Sequence, residues 1–550
     1  MRPQRRPAPD AGSRPVGASS SPRRSMTHPA LARIRERSWW PLGIGVLALV
    51  VSLWHLGVPS YWYDEMATVS AANRPLPDMD RLLSHVDAVH GAYYVVMHFW
   101  FDATRDWGAF GLSQEAARLP SALAVAASAG VMVVLGTKLI GTRFGVVAGL
   151  ITMTIPRVLW AANEARGYSF SILFAVLTML ALLVAIERGR AWWLLYAAAM
   201  VLSGAWFLLS ITLLGAHAVV VLTRRGRRRS WPFAVAAGIT LAVLAPFAVF
   251  VHGQAAQISW IPPFSGGTIG DYLHFEFVQG APGYAVAAAL IVAAGIGLTL
   301  WRQPAPWKQT GPWRQQSGAR AVIVLALAWL AVPAILVLVY SWLATPTYVP
   351  RYLAFTAPAL ALLIAVGVEK LVELHRSALL LIPVLVVLVA PTYLAQRTAY
   401  GHIGGSDFSA AAAFVRSHAR PGDCVAFESQ ISWSPASDRM ILLAAPNDFR
   451  GLADIGPAVA ADRAGTLWDT DRPQQDYGPW ARACATVWVI TDGDRGRRTV
   501  IRPAGGVHWI FDPFRFTDSG LYRVLAASGL RVDSATRFNH SQVVRLTRPS

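Results

Sequence analysis

Charged residues are scarce in this chain. Asp, Glu, Lys and Arg make up 15% of its 550 residues, whereas an ordinary soluble chain carries about 25%. Hydrophobic residues reach 54% and the mean hydropathy is +0.40, an apolar excess too large for one packed core. Uncharged runs of about 20 residues, the length that crosses a bilayer, alternate with short clusters of Arg. The composition therefore excludes an ordinary soluble protein and predicts a polytopic α-helical membrane protein.

Cysteine is scarcer still, with only two residues in the whole chain, Cys424 and Cys484. Both fall in a C-terminal stretch that is predicted below to lie outside the cytoplasm, where an oxidising environment permits a disulfide between them. The alternative is a pair of small hydrophobic side chains at the edges of neighbouring strands. No spacing of Cys and His resembles a zinc site, so no metal site of that kind is predicted.

Acidic residues are outnumbered by basic ones, which gives a formal net charge of +18 and a pI near 10.5. The basic residues lie beside the apolar runs, above all at residues 2–37 and 224–229. This is the cytoplasmic bias of membrane loops, and it points to anionic lipid headgroups as the partner. The chain has no basic face with interleaved aromatics, which argues against binding to nucleic acid.

Residues 1–38 are rich in Pro, Ser, Gly and Arg and predict a disordered, basic cytoplasmic tail. The charged region is too long for a cleaved signal peptide, so the apolar stretch that follows is interpreted as the first anchor. Apolar length and the placement of Arg predict about eleven spans. They cover residues 40–58, 118–138, 144–162, 168–186, 191–208, 209–223, 232–252, 283–301, 320–343, 352–371 and 377–396.

The loops agree with a cytoplasmic N-terminus, because those assigned to the inside are the basic ones. They are residues 138–143, 187–190, 224–229, 302–320 and 369–376. The agreement requires that the short apolar stretch from His90 to Phe101 does not cross the membrane but lies along the interface. It also requires a break between residues 208 and 209, where Ser210 and Thr212 offer only a weak signal.

This topology divides the chain into three parts, the tail at 1–38, a transmembrane module at 39–397 and a soluble domain at 398–550. The module holds a large first external loop, residues 58–117. The C-terminal part is polar and contains strand-like runs after a helical pattern, so it predicts an extracytoplasmic α/β domain.

Two adjacent carboxylates, Asp64 and Glu65, lie among aromatic residues just outside the first span. Burial there would raise a carboxyl pKa toward the range of a general base, and the aromatics could line a sugar site. The alternative is an acidic helix N-terminus beside an ordinary interfacial aromatic belt. The same external loop adds further polar candidates, namely Asp87, His90, Tyr93 and Tyr94.

Two arginines, Arg166 and Arg351, fall at external span ends and so break the rule that positive charge stays inside. A guanidinium at that depth can pair bidentately with the phosphate of a lipid-linked donor. The alternative is that each side chain simply extends to the interface. Two such arginines on the same side as the Asp-Glu pair favour one shared site.

The ordered set of motifs resembles the C-type glycosyltransferases (GT-C), and within them the protein O-mannosyltransferase and aminoarabinose-transferase group. The motifs are the Asp-Glu pair at 64–65, His-x-x-Tyr-Tyr from residue 90, Glu-Ala-Arg-x-Tyr at 164–168 and Arg-Tyr-Leu at 351–353. The likeness covers residues 40–400, and only the ordered set is specific. It implies a GT-C fold with about 11 transmembrane helices, a polyprenyl-phosphate-sugar donor and an active site facing outward. The richness in Ala, Arg and Val indicates a high-GC bacterial genome, so the predicted location is a bacterial plasma membrane.

The resemblance also implies roles. The reaction inverts the configuration at the anomeric carbon, with Asp64 as base and Glu65 orienting the acceptor or holding Asp64. Donor phosphate contacts are assigned to Arg166, Tyr168, Arg351 and Tyr352, and contacts to acceptor or sugar to Tyr63, Asp87, His90 and Tyr93. No cofactor is required, although a divalent cation at Asp64 and Glu65 stays open.

Mannose is the commonest sugar for this resemblance. A glycolipid or glycan of the cell envelope, such as a lipoglycan or polysaccharide, ranks ahead of protein as acceptor, because the tail lacks the repeats of the eukaryotic protein mannosyltransferases. The rival is a transporter of lipid-linked saccharides, or a ligase-type envelope protein without polyprenyl-phosphate-sugar chemistry of its own. The spans carry few charges at mid-depth and show no internal repeat, which favours surface chemistry over transport. A sensor with an external ligand-binding domain would leave the loop motifs unexplained.

Overall fold

A computed structural model describes residues 39–108, 110–226, 230–301, 318–428, 437–501 and 509–549 of the chain. The predicted tail at 1–38 and most of the predicted basic loop at 302–320 lie outside these residues. The α-helices of the membrane module are α1 (Trp39–Leu53), α2 (Tyr63–Ala72), α3 (Leu76–Leu83), α4 (Gly91–Thr104), α5 (Gln114–Leu139), α6 (Thr142–Thr152), α7 (Pro156–Ala161), α8 (Tyr168–Arg188), α9 (Arg190–Trp206), α10 (Leu213–Arg225), α11 (Trp231–Gly253), α12 (Gly266–Phe275), α13 (Pro282–Trp301), α14 (Gly318–Leu343), α15 (Ala357–Leu374) and α16 (Leu381–Ala395). Short 3₁₀ turns cover Ala88–His90, Phe110–Leu112, Leu208–Thr212, Ala255–Ile258, Ala354–Thr356 and Arg376–Leu380.

The structure is that of a multi-pass membrane protein. Seven segments of the described chain are long and apolar enough to cross a bilayer, namely Gln114–Leu139, Tyr168–Arg188, Trp231–Gly253, Pro282–Trp301, Gly318–Leu343, Ala354–Leu374 and Arg376–Ala395. Four shorter apolar helices, Trp39–Leu53, Thr142–Thr152, Ala191–Trp206 and Leu208–Arg224, occupy the other predicted spans. The helical fold class is thus confirmed.

Two of the predicted spans differ in detail. The predicted helix 144–162 is interrupted, because Pro156 starts a new helix and Ile155 before it is extended, with ψ of 118°. A proline fits the first turn of a helix but pushes the preceding residue out of the helical region. The break between the fifth and sixth spans lies at Phe207, which is extended (φ −149°, ψ 103°), rather than at Ser210 or Thr212.

Small residues let the membrane helices approach closely. A Cβ added to Gly136 of α5 would lie 2.7 Å from the Cα of Gly145 on α6, and one added to Gly295 of α13 would lie 2.6 Å from the Cα of Gly367 on α15. Helices in lipid gain stability mainly from such close packing. Helix α4, with 14 residues, is shorter than the roughly 20 that a span requires, and its placement along the interface stays a prediction.

The C-terminal part forms the expected α/β domain. Its strands are β1 (Cys424–Phe427), β2 (Ala453–Asp454), β3 (Pro457–Val459), β4 (Thr470–Asp471), β5 (Thr486–Asp492), β6 (Thr499–Ile501), β7 (Trp509–Phe511), β8 (Arg531–Arg537) and β9 (Ser541–Thr547). Its helices are α17 (Phe408–His418), α18 (Met440–Ala444), α19 (Ala461–Ala464), α20 (Gly478–Arg482) and α21 (Gly520–Ala527), with 3₁₀ turns at Ile403–Gly405, Pro446–Phe449, Gln474–Tyr477 and Phe516–Asp518.

A five-stranded sheet of order β2-β1-β5-β9-β8 is the centre of this domain. Strand β1 runs parallel to β2 and β5, whereas β9 is antiparallel to both β5 and β8. Strands β3 and β4 form a separate antiparallel pair, as do β6 and β7. Cys424, which begins β1, forms a disulfide with Cys484, just before β5, with their Cα atoms 6.0 Å apart.

The orientation of the module can be tested with single cysteines, because both native cysteines are paired and an introduced one is the only free thiol. We expect cysteines at Ser84, Thr268 and Ser437 to react with an impermeant thiol reagent in intact cells, and one at Ser230 to stay unlabelled. Labelling at Ser230 combined with protection at Ser84 would contradict a cytoplasmic N-terminus.

Candidate active site

The structure brings Asp64, the predicted base, together with Arg166 and Arg351. Asp64 lies in the first turn of α2, Arg166 in the turn before α8 and Arg351 in the turn before α15. Oδ2 of Asp64 is 4.0 Å from Nη2 of Arg166 and 3.7 Å from Nη2 of Arg351. The Asp64 carboxylate therefore lies between two guanidinium groups, within ion-pair distance of both.

Arg166 is held by four groups from residues 58–117. Its Nη1 donates to the Asp64 carbonyl oxygen at 3.2 Å, to the Tyr94 hydroxyl at 2.9 Å and to the Thr68 hydroxyl at 3.5 Å. Its Nη2 lies 2.8 Å from Nε2 of His90. Burial and the positive charge of Arg166 lower the pKa of His90 well below its usual value, so the ring is neutral and accepts the bond.

Arg351 occupies a strained backbone position, with φ of +116°. Such a conformation costs a non-glycine residue about 1–3 kcal/mol and persists only where its surroundings enforce it. Here the buried carboxylate of Glu276 accepts the backbone N–H groups of Arg351 and Leu353, each at 3.1 Å. The Nε–H of Arg351 also donates to the Tyr168 hydroxyl at 3.1 Å.

Glu65 does not face the same space as Asp64. It is fully buried, and its carboxylate accepts two bonds from Arg118, at 2.8 and 2.7 Å, and one from the backbone N–H of Ala165 at 2.9 Å. Although burial raises its pKa, the charges of Arg118 and His402 outweigh that effect and leave the pKa below its usual value. The prediction that Glu65 orients the acceptor does not fit this geometry, because successive helical residues point in different directions.

Arg118 is a part of the site that sequence reasoning missed. Besides pairing with Glu65, its Nη1 donates to the carbonyl oxygens of Leu56 and Pro59 at 2.9 and 2.8 Å. It therefore fixes the chain that leads from the first span to Asp64. The only signal in the sequence was a charged residue at the start of the second predicted span, where a charge demands a partner.

The His-x-x-Tyr-Tyr stretch contributes Tyr94 where Tyr93 was predicted. The Tyr94 hydroxyl donates to Oδ2 of Asp87 at 2.7 Å and accepts from Arg166. Tyr93 points to the opposite side and packs against Phe170 and Trp206, with ring centroids 6.1 and 5.8 Å away. Burial raises the pKa of the Asp87 carboxyl. Asp87 is therefore a second candidate for the catalytic carboxylate, besides Asp64.

The remaining predicted tyrosines divide between the cavity and its support. Tyr63 and Tyr352 line the cavity. The Tyr63 hydroxyl accepts a bond from Nε1 of Trp468, a residue of the C-terminal domain, at 3.3 Å. Tyr168 stacks on Tyr352 with ring centroids 6.5 Å apart, and its hydroxyl accepts the bond from Arg351.

A cavity of about 720 Å³ adjoins the site and has two kinds of lining. Its polar end is formed by Asp64, Asp87, His90 and Arg166, together with Leu467 of the C-terminal domain. The rest of the lining comes from the membrane helices and the turns beside them and is mostly apolar, with Phe207, Leu214, Leu241, Val251 and Leu336 among the apolar side chains and Thr212, His252 and Tyr340 among the polar ones. Arg351 is not one of the lining residues, and its Nη2 contacts Asp64 at 3.7 Å.

The donor set does not fit a divalent cation at Asp64 and Glu65. Both oxygens of Glu65 are taken by Arg118 and by the Ala165 backbone, and two guanidinium groups lie beside Asp64. A cation there would need several free oxygens and would be repelled by the arginines. Among the described residues, no group of three or more His, Cys, Asp or Glu side chains is arranged to hold a metal.

Comparison with known proteins shows the fold that the ordered motifs predicted. Residues 97–250 match the family described as dolichyl-phosphate-mannose-protein mannosyltransferase. No curated protein matches the sequence. Among solved structures, the chain is similar to ArnT from Cupriavidus metallidurans in the apo state, with a TM-score of 0.55 and 14% identity over 92% of this chain and 97% of that one.

ArnT from the same organism bound to undecaprenyl phosphate gives a TM-score of 0.53 at 14% identity, with 92% of this chain and 98% of that one covered. The arabinofuranosyltransferase AftD from Mycobacteria gives 0.50 at 14% identity, over 93% of this chain and 40% of the longer AftD chain. The structure therefore has the fold of the C-type glycosyltransferases.

The buried pair of Glu65 and Arg118 makes a stability prediction. Arg118→Met leaves a buried carboxylate without its partner, a change that typically costs about 3–5 kcal/mol. We expect a loss of that size in the free energy of unfolding, measured by denaturant titration in detergent. Arg105→Met is the matched control, because the exposed pair of Arg105 with Asp102 should contribute no more than about 1 kcal/mol. Equal stability of the two variants would contradict the role given to Arg118.

Proposed function

We propose that this chain, which has the C-type glycosyltransferase fold, transfers a sugar from a polyprenyl-phosphate donor to an acceptor outside the cytoplasm. The observation that carries the proposal is the unlike lining of the cavity. One part is the carboxylate of Asp64 beside the guanidinium of Arg166, and the rest is a mostly apolar wall contributed by membrane helices. A lipid-linked sugar phosphate has the same division into charged head and hydrocarbon tail.

The donor would lie with its polyprenyl chain between the helices. Residues from α10, α11 and α14 form the apolar wall, so the chain could enter sideways from the bilayer without crossing water. The similarity to a structure described as ArnT bound to undecaprenyl phosphate supports a donor of this class. The sugar phosphate would then reach the polar end, beside Asp64.

Arg166 is the group we assign to the donor phosphate, because it lines the cavity. As the bond to the anomeric carbon breaks, the phosphate gains charge, and a guanidinium fixed beforehand by Tyr94 and His90 stabilises that charge without reorganising. Arg351 contacts Asp64 but is not one of the residues that line the cavity, so we assign it to holding the carboxylate. This changes the role that the sequence suggested for Arg351.

Asp64 would act as the general base. It takes the proton from an acceptor hydroxyl, the hydroxyl oxygen attacks the anomeric carbon, and the polyprenyl phosphate leaves from the opposite face with the bonding electrons. The anomeric configuration is inverted. The polyprenyl phosphate is released as its anion, so the reaction balances without any further reactant.

Mannose is the sugar we propose, since the matching family description names a mannosyl phosphate lipid. The acceptor we propose is a glycan or glycolipid of the cell envelope. The acceptor side of the cavity is formed by the ring of Tyr63, the carboxylate of Asp87 and Leu467. An aromatic face beside a carboxylate suits the apolar face and the hydroxyl groups of a sugar ring.

The base is tested by Asp64→Asn, which keeps the shape of the side chain and removes its basicity. We expect kcat for transfer from radiolabelled polyprenyl-phosphate-mannose to fall by about 10²–10⁴, the usual contribution of a general base. Binding of undecaprenyl phosphate should persist. Asp102→Asn, on an exposed part of α4, is the control. If Asp64→Asn kept most of its activity while Asp87→Asn lost it, the base would be Asp87.

The roles of Arg166 and Arg351 are distinguished by measuring donor binding and catalysis independently. Arg166→Ala should raise KM for the donor and lower kcat, with Lys restoring only part because it lacks the bidentate fork. Arg351→Ala should lower kcat while leaving the affinity for undecaprenyl phosphate unchanged, since it acts through Asp64. Unchanged donor kinetics in Arg166→Ala would rule out the phosphate role.

A further inference from the structure

A histidine from the first residues of the C-terminal domain is buried beneath the candidate site. His402 is 4% exposed and lies between two carboxylates that are themselves completely buried. Its Nδ1 is 2.9 Å from Oε1 of Glu164, and its Nε2 is 3.4 Å from Oε2 of Glu65. Neither the Asp-Glu pair nor the Glu-Ala-Arg motif gave any sign in the sequence that such a residue would come between them.

The two carboxylates belong to the segments that carry Asp64 and Arg166. Glu65 follows Asp64 directly and also binds the backbone N–H of Ala165, next to Arg166. Glu164 accepts a bond at 2.9 Å from Nε1 of Trp62. His402 thus lies where these two segments are fastened to each other.

The two carboxylates of this cluster are held unequally. Arg118 forms a bidentate pair with Glu65 and neutralises that carboxylate. Among the described residues, the Glu164 carboxylate contacts the neutral indole of Trp62 and the ring of His402, and burial raises its pKa. The His402 ring turns one nitrogen toward each carboxylate and is the group that joins them.

We infer that His402 is a positioning residue, which ties the Asp64 segment to the Arg166 segment through its contacts with Glu65 and Glu164 and makes the C-terminal domain a part of the active site. The inference rests on the proposed function. The ionisable groups around the ring are Glu65 on α2, Glu164 before α8 and Arg118 on α5, with the Tyr61 hydroxyl interacting with Arg118 and Glu65.

A second contact holds the same domain against the site. Arg74 of the turn after α2 donates to the carbonyl oxygens of Thr466 and Leu467 at 2.6 and 3.0 Å, and the Ser70 hydroxyl donates to Leu467 at 2.6 Å. These bonds place Leu467 in the cavity wall. The domain therefore meets α2 at several points, which include the bond of Trp468 to Tyr63, the bonds to Leu467 and the contact of His402 with Glu65.

The test uses the full chain in lipid nanodiscs and compares the wild type with His402→Gln, Glu164→Gln and the double variant. His402→Gln removes the ring that contacts the buried Glu164 carboxylate, and we expect kcat to fall by about 10²-fold, the effect of a small misplacement of catalytic groups. Glu164→Gln added to it removes the stranded charge and should restore much of that loss. His418→Gln, at an exposed position on α17, is the matched control and should behave as the wild type.

The double variant separates the effect of the Glu164 carboxylate from simple packing, because a second change would not restore kcat if His402 only filled space. Unchanged kcat in His402→Gln, or a double variant no better than the single one, would overturn the inference. If His402→Gln does not fold, recovery of a folded, active double variant supports the inference and a second failure overturns it.

Failure of the proposed function would look different. A wild-type protein that binds no undecaprenyl phosphate and transfers no sugar from polyprenyl-phosphate-mannose would overturn the donor assignment, and the role of His402 with it. A wild type that binds and transfers while His402→Gln does both equally well would overturn the role of His402 alone.

Discussion

The pairing of buried charge is the constraint on which the rest of this structure depends. Four polar side chains are buried together, namely Glu65, Arg118, Glu164 and His402. An unpaired charge in the protein interior would cost several kcal/mol. Each can be there only because the others are, so the first external loop, the second span and the C-terminal domain must meet at this point. The positions of Asp64 and Arg166 follow from that cluster, since each adjoins one of its members.

The cavity takes its two kinds of lining from different parts of the chain. Membrane helices supply most of the apolar wall, whereas the polar end is assembled from short loops and the C-terminal domain. Loops positioned by a rigid scaffold commonly carry function. Here the strained backbone of Arg351, held by Glu276, shows how firmly the scaffold imposes one conformation on such a loop.

The outcomes for neighbouring residues show how far a motif can be interpreted without a structure. The pair Asp64-Glu65 was recognised as a unit, yet the helix that begins at Tyr63 turns the two side chains apart, one to the cavity and one to Arg118. The pair Tyr93-Tyr94 divides in the same way, with Tyr94 in the site and Tyr93 in an aromatic cluster. Successive residues of a helix differ by about 100° in direction, and a motif does not state which direction faces the ligand.

The sequence by itself determined the class of the protein, the positions of its apolar helices, the α/β character of its C-terminal part and the set of loop segments that meet. These follow from apolar length, charge placement and strand-like runs, which are local properties. Only the tertiary structure decided that Arg118, His402 and Glu276 support the site, because their partners lie far away in the chain. Long-range pairing of buried charge depends on how the helices pack, and no local pattern of residues encodes it.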